Sequence, residues 1–287
     1  MEKLKTIIVT GANSGLGLLC SKNIARSSSD FQIILACRDL KKAEQAKEEI
    51  IKETGNHNII PMELNLSSLK SVREFAESVI EKQFSLYGIV CNAGVSSSNN
   101  DTLTEEGFDT IFGVNHLAHF LLVNTLLPQM NEDGKIAVVS SDMHNPPQGI
   151  TWPGVEILAH PTEDFKENKY CLSKLCNLYF TYELARKLEH EKSHITINAF
   201  NPGLMTDTNF FQGRGTFSAD FLESVADRIG SSEQSGKALS EMMTDSRYDQ
   251  LTARFIDRGN DVPSSELSHD LKNAKELWDA SVEYTKS

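Results

Sequence analysis

Thr6-Ile7-Ile8-Val9-Thr10 runs directly into Gly11-Ala12-Asn13-Ser14-Gly15-Leu16-Gly17. The first five residues are a short, apolar, β-branched run of the kind that forms a buried strand, and the glycines that follow permit a tight turn with close backbone approach. A helix over about residues 16–26 then aims its N-terminal amides beyond the turn, where they suit an anion. Strand, glycine turn and helix in that order open a nucleotide-binding α/β sheet. The spacing is TGxxxGxG rather than the commoner GxGxxG, and taken alone it also fits an ordinary strand-to-helix turn.

Outward from that unit the chain keeps alternating. Strands are expected over residues 32–37, 58–66, 87–91 and 134–139, and helices over 40–53 and 69–84. Residues 102–130 carry a long helical pattern broken only by Gly107 and Gly113, and a further helix starts near Asn168. Beyond it, 231–245 reads as a helix, 254–257 as a last edge strand and 269–285 as a terminal helix packing through Leu271, Leu277, Trp278 and Val282. No linker or repeat divides the chain. The pattern predicts a single doubly wound, Rossmann-type parallel sheet flanked by helices, one α/β domain over residues 1–287.

Composition bounds the function. A net charge of −12 offers no basic patch for nucleic acid or an anionic membrane surface. With no apolar run of spanning length and no signal-like start, the expectation is a cytoplasmic protein without a membrane anchor. Cys20, Cys37, Cys91, Cys171 and Cys176 are odd in number and lack CxxC spacing, which fits reduced thiols. His116 and His119 stand at i and i+3 with no further ligand placed to complete a set, so no metal is expected.

Several side chains fall at the carboxyl ends of the strands, where such sheets hold ligands. Cys37-Arg38-Asp39 occupies the place that reads the adenosine ribose. Arg38 suits a 2′-phosphate and Cys37 puts no charge against it, so NADP is preferred, while Asp39 keeps NAD open. Asn92-Ala93-Gly94 forms a tight turn beside the glycine loop, and the strand ending at Val139 delivers Ser140-Ser141 to the same edge. Asn115, inside a helical pattern, must find partners for its amide. Tyr170 and Lys174 lie one helical turn apart, so a cation stands beside a phenol and favours its ionised form.

Taken together, these residues resemble the short-chain dehydrogenase/reductase family along nearly the whole chain. Thr10-Gly11 through Gly17, Asn92-Ala93-Gly94, Asn115, Ser141, Tyr170 with Lys174, and Pro202-Gly203 carry the resemblance. The wording of residues 36–39, 114–120, 170–177, 182–188 and 274–278 is most similar to the branch that holds retinol dehydrogenases and light-dependent protochlorophyllide reductases. The resemblance implies NADP-dependent hydride transfer between nicotinamide and a carbonyl or alcohol. It makes Tyr170 the acid/base, Lys174 the group that lowers the tyrosine pKa and holds the nicotinamide ribose, Ser141 the donor to the substrate oxygen, and Asn115 the holder of a relay water. Gly11, Asn13, Ser14, Gly15, Leu16, Gly17, Arg38, Asn65, Leu66, Asn92, Ala93, Gly94, Pro202, Gly203, Met205 and Thr206 would contact the cofactor, as would Tyr170 and Lys174.

This chain departs from the family pattern in two places. Asn65-Leu66 stands where Asp-Leu usually contacts adenine, and the position four past Gly203, which often carries a hydroxyl for the carboxamide, is Asp207 between Thr206 and Thr208. Leu204 replaces the cysteine that protochlorophyllide reductases carry after Pro-Gly, which argues against that photochemistry. Residues 142–169, holding His144 and Trp152, form a long irregular loop, and 204–230, with Phe210, Phe211, Phe217 and Phe221, reads as an aromatic lid. Both suit a hydrophobic small molecule. A homo-oligomer stays open, as does a catalytically silent NADP-binding sensor or scaffold on the same fold.

Overall fold

The computed structural model describes residues 3–96, 102–162, 165, 168–206 and 218–286. Its strands are β1 (Lys5–Thr10), β2 (Phe31–Cys37), β3 (Ile59–Glu63), β4 (Ser85–Cys91), β5 (Met130–Val139), β6 (Thr196–Asn201), β7 (Phe255–Asp257) and β8 (Asn260–Val262). They form one eight-stranded sheet in the order β3-β2-β1-β4-β5-β6-β7-β8. Strands β1 to β7 are parallel and β8 returns antiparallel to β7. Chain direction across the sheet reverses between β1 and β4, so a crevice opens beyond their carboxyl ends.

The helices are α1 (Gly15–Ser27), α2 (Leu40–Thr54), α3 (Leu69–Glu81), α4 (Thr110–Phe112), α5 (Ala118–Leu126), α6 (Val155–Ala159), α7 (Lys169–His190), α8 (Ala219–Ser224), α9 (Ser232–Thr244) and α10 (Leu271–Tyr284). Strand alternation sorts the apolar residues into two cores, one on each face of the sheet. Ile7, Val9, Ile33 and Leu35 pack with Cys20 and Ile24 of α1, Ala43 of α2 and Leu239 of α9. Ile8, Ile34 and Ile89 pack with Phe75 of α3, Leu122 of α5 and Leu175 of α7.

Several boundaries differ from the sequence reading. The long pattern over 102–130 starts its helix only at Thr110, because Asp109 caps there by accepting from the amides of Ile111 and Phe112. It also contains a π-helical turn, Gly113–Leu117, around Asn115. Thr110–Gln129 is long and apolar enough to cross a membrane, contrary to the reading of the sequence, but 78% of its window is buried inside this fold. Strand β6, buried throughout, is not among the segments singled out above. Nor is β7 the sheet edge, since β8 covers it. On α10, Leu277 is buried but Leu271 is 63% and Val282 37% exposed; Ala274 and Ser281 take their places on the inner face.

Candidate active site

The site begins with the turn after β1. Gly11 has φ +65° and Gly15 φ +52°, the left-handed region that glycine enters freely. A Cβ on Gly17 would lie 2.5 Å from the Gly11 carbonyl oxygen and 2.5 Å from Asn92 Nδ2, so α1 can approach the turn this closely only with glycine there. Ser14, the N-cap of α1, makes no side-chain capping bond, which leaves the first-turn amides unclosed by a side chain. Thr10 joins this turn to the next strand end. Its hydroxyl accepts from the amides of Asn92 and Ala93, each at 2.9 Å, and lies 3.3 Å from the Val90 carbonyl and 2.9 Å from His119 Nε2. His119 Nδ1 faces the Asn115 carbonyl at 3.4 Å.

Asn115 is held by the π turn against the strand end. Its Oδ1 accepts from the Val95 amide at 2.7 Å, and its Nδ2 donates to the Val95 carbonyl and to Ser173 Oγ, both at 2.9 Å. Ser173 in turn donates to the Tyr170 carbonyl at 2.8 Å. Both amide hydrogens of Asn115 are thus used in tying the Asn92–Val95 turn to α7. A Cβ on Gly94 would sit 3.2 Å from Asn115 Oδ1 and 3.7 Å from Lys174 Nζ, so the turn leaves the ammonium reachable from the crevice.

Helix α7 starts at its cap Asn168, which accepts from the Cys171 amide, and its first two turns carry Tyr170 and Lys174. Lys174 Nζ lies 5.5 Å from the Tyr170 ring centroid and donates to the Val139 carbonyl at 3.0 Å. Burial pulls the Lys174 pKa down from 10.5 to about 8. Ser140 is turned away, donating to the Lys174 carbonyl at 2.8 Å. Ser141 points forward, accepting from the Met143 amide and donating to Asp142 Oδ1, each at 3.1 Å.

One cavity of about 690 Å³ gathers most of the expected residues: Gly11, Asn13, Ser14, Gly15, Leu16, Asn92, Ala93, Gly94, Pro202, Gly203 and Met205, together with Ser141, Tyr170 and Lys174. Gly17 and Asn115 stand behind its wall. Arg38 is exposed beyond β2 and Asp39 caps α2 by accepting from Lys42 N at 3.1 Å. Between them and the turn, burial pushes the Cys37 thiol up to about 11, keeping it neutral despite hydrogen bonds from the Ala12 and Asn13 backbone. Asn65 Oδ1 accepts from the Ser67 amide at 3.1 Å, and Leu66 is buried in the core, so any ligand contact there comes from backbone or amide. Thr206 is exposed at the end of the described segment, and Asp207, Thr208, Phe210, Phe211 and Phe217 lie outside the described residues.

The loop over 142–169 is only partly a cavity wall. Asp142, Met143, Pro147, Gln148 and Asn168 line the cavity. Trp152 instead stacks edge-on against Tyr179 at 5.2 Å and donates to Glu276 of α10 at 2.9 Å. His144 is buried, with its ring between the Ser141 carbonyl at 2.7 Å and the Ser265 amide at 3.1 Å. The sequence assigns no role to Thr10, Ser173, Asp142 or Arg228. Thr10 and Ser173 lie within the quoted motifs and Asp142 follows Ser141 directly, but Arg228 reaches the site only through the fold.

Residues 5–151, about half of the chain, match the short chain dehydrogenase family. The chain belongs to that family. Among the relatives of this short-chain dehydrogenase, human retinol dehydrogenase 13 is 41% identical over 202 residues, 70% of this chain and 59% of the relative. The chain thus spans less than two thirds of that relative's length. The chloroplastic short-chain dehydrogenase TIC 32 A of Brassica napus is 31% identical over 98% of this chain and 89% of its own. A putative uncharacterized protein from Mycobacterium Paratuberculosis shares the fold with a TM-score of 0.74 at 28% identity, covering 99% of this chain and 94% of that one. Short-chain dehydrogenases bind nicotinamide cofactors, and this site fits one: the space a Gly17 side chain would fill, the open first turn of α1 and the buried ammonium of Lys174 converge on one cavity.

Proposed function

We propose that the protein is an NADP-dependent oxidoreductase interconverting a hydrophobic carbonyl compound and its alcohol. The observation that carries this is the placement of Tyr170, Lys174 and Ser141 on the same cavity as the glycine turn. The bound nicotinamide supplies or accepts the hydride. The remaining work falls to the chain. Tyr170 gives a proton to, or takes one from, the substrate oxygen at its phenol oxygen. Lys174 favours the phenolate by its charge, and Ser141 lies where it can polarise the oxygen. Asn115 and Ser173 keep Tyr170 and the Asn92–Val95 turn in register.

Exposed Arg38 supports NADP over NAD, because it makes no ion pair or hydrogen bond with another described residue while the neighbouring Asp39 is committed to capping α2. A hydrophobic substrate is supported by relatives named for retinol, an apolar alcohol, and by Leu204, Met205 and Val225 on the cavity wall. A cytoplasmic setting accords with five buried, unpaired thiols.

A cofactor-coupled panel of apolar aldehydes, ketones and alcohols tests the reading. Tyr170→Phe is expected to keep NADPH affinity and lose about 10²- to 10⁴-fold in kcat. Arg38→Ala is expected to raise the KM for NADPH roughly tenfold while that for NADH moves less than about twofold. Cofactor binding without turnover of any panel member would favour a silent sensor.

A further inference from the structure

The hydroxyl of Ser141 has one hydrogen, and it is engaged. It points at Asp142 Oδ1 at 3.1 Å, while Asp142 Oδ2 accepts from Arg228 Nε at 2.6 Å. The lengths rank the two claims on this carboxylate, since charge-assisted bonds run at about 2.5–2.7 Å for O–H···O⁻ and about 2.7–2.9 Å for N⁺–H···O⁻. The guanidinium holds Asp142 tightly, and the serine is a loose second partner. Arg228 also places a terminal nitrogen 3.0 Å from Met143 Sδ, and the Met143 amide donates to Ser141 Oγ. Asp142 is 31% and Arg228 28% exposed, and both line the cavity, so neither is sealed in the core.

Arg228 comes from a different part of the chain, 86 residues beyond Asp142. Its carbonyl accepts from the Leu204 amide at 2.7 Å, and Gly230 N donates back to the Leu204 carbonyl at 3.1 Å. This pairing closes the base of the excursion that leaves the sheet after Pro202–Gly203. The ion pair therefore links the segment carrying Ser141 to the base of the cavity's other wall.

We propose that Asp142 and Arg228 are positioning residues that set whether Ser141 can donate to the substrate oxygen, a role that rests on the oxidoreductase reading above. A carboxylate next to the serine competes with the substrate for one hydrogen. Arg228 draws charge and orientation away from that carboxylate, so the hydroxyl turns to a carbonyl oxygen when one arrives. Without the arginine, Asp142 retains the hydrogen and Ser141 offers only lone pairs. The pair thus governs the availability of a donor, not the binding of the cofactor.

A double-mutant cycle read on kcat and KM separately tests this. Arg228→Gln is expected to lower kcat for a carbonyl substrate about tenfold, the weight of one hydrogen bond to a charged group, with the KM for NADPH within about twofold. Asp142→Asn in the Arg228→Gln background is expected to restore kcat to within about threefold of the parent, and Arg228→Lys to lie between the parent and Arg228→Gln. If Arg228 served only to hold the loop, removing Asp142 as well would not rescue turnover, and additive losses or a loss confined to KM would overturn the proposal. A parent enzyme inactive on the whole panel would overturn the oxidoreductase reading and this proposal with it, whereas an active parent with an additive cycle removes this one alone.

Discussion

Lys174 is 3% exposed, with its ammonium 3.0 Å from the Val139 carbonyl, and burial alone lowers its pKa from 10.5 to about 8. The native state therefore disfavours the charged form. Below pH 8 that is a stability cost, and it shrinks as pH rises from about 8 to 10.5, because in that range the native state has released the proton while the unfolded chain still holds it, so each step up in pH penalises only the unfolded chain. At about 1.4 kcal/mol per pKa unit, the drop from 10.5 to about 8 amounts to roughly 3 kcal/mol at neutral pH. Removing the amine would not orphan the Val139 carbonyl, which also accepts from Asn177 Nδ2 at 3.1 Å. Lys174→Met is thus expected to melt several degrees higher than the parent at pH 7 without cofactor, with the gap narrowing at pH 10, while losing turnover. An equal or lower melting temperature at pH 7 would show that the ammonium is not stored strain of this kind.

At the level of elements, the parts that periodicity or glycine spacing can encode were legible: β1 with its turn, the alternation through β5, and the helix that brings Tyr170 to Lys174. The π turn was not, because an extra residue in a helix leaves the apolar pattern of Val114, Leu117 and Leu121 intact and shows only in which carbonyl the Ala118 amide meets, that of Gly113. Buried β6 carries Asn198 and Asn201 among its apolar residues, which blurs its strand signal, and their amides are satisfied by Leu251 and Arg254 from the loop before β7 and by Asp257 of β7 itself. The Asp142–Arg228 pair escaped for a related reason, since its partners meet only once the sheet is built. The glycine turn gives the sharpest element-level expectation. Gly17→Ala must push α1 away from the Gly11 carbonyl, which a Cβ would approach to 2.5 Å. Calorimetric titration with NADPH is expected to show at least about tenfold weaker binding, and unchanged affinity would mean that α1 does not have to sit this close for the cofactor.

The whole molecule is closed by α10, which folds back over the helices that carry the site. Trp278 packs edge-on against Phe120 at 5.0 Å, Arg73 of α3 donates to the Thr285 carbonyl at 2.9 Å, and Ser281 meets His116 Nε2 at 2.9 Å within the π turn. His116 is thus a docking residue set among Phe112, Phe120 and Phe180, while His119, one turn on, meets Thr10 under the glycine loop. Burial, and to a smaller extent the neighbouring His119, lowers the His116 pKa from 6.5 to about 3. Burial lowers His119 to about 4, with the Lys174 charge adding to the fall and the Asn115 carbonyl opposing it. Both rings are neutral in the native state, so above pH 6.5 neither contributes to a pH dependence. As pH falls from 6.5 towards 4 the unfolded chain binds two protons that the native state does not, and stability drops by roughly 1.4 kcal/mol per pH unit for each ring. In urea unfolding at pH 7 and pH 5 these two rings are therefore expected to account for a loss of roughly 3–4 kcal/mol in the parent, and His116→Phe, whose ring joins the surrounding phenylalanines without titrating, to lose roughly 2 kcal/mol less than the parent. A pH slope unchanged by that substitution would place the acid sensitivity elsewhere than in the contact between α10 and the π turn.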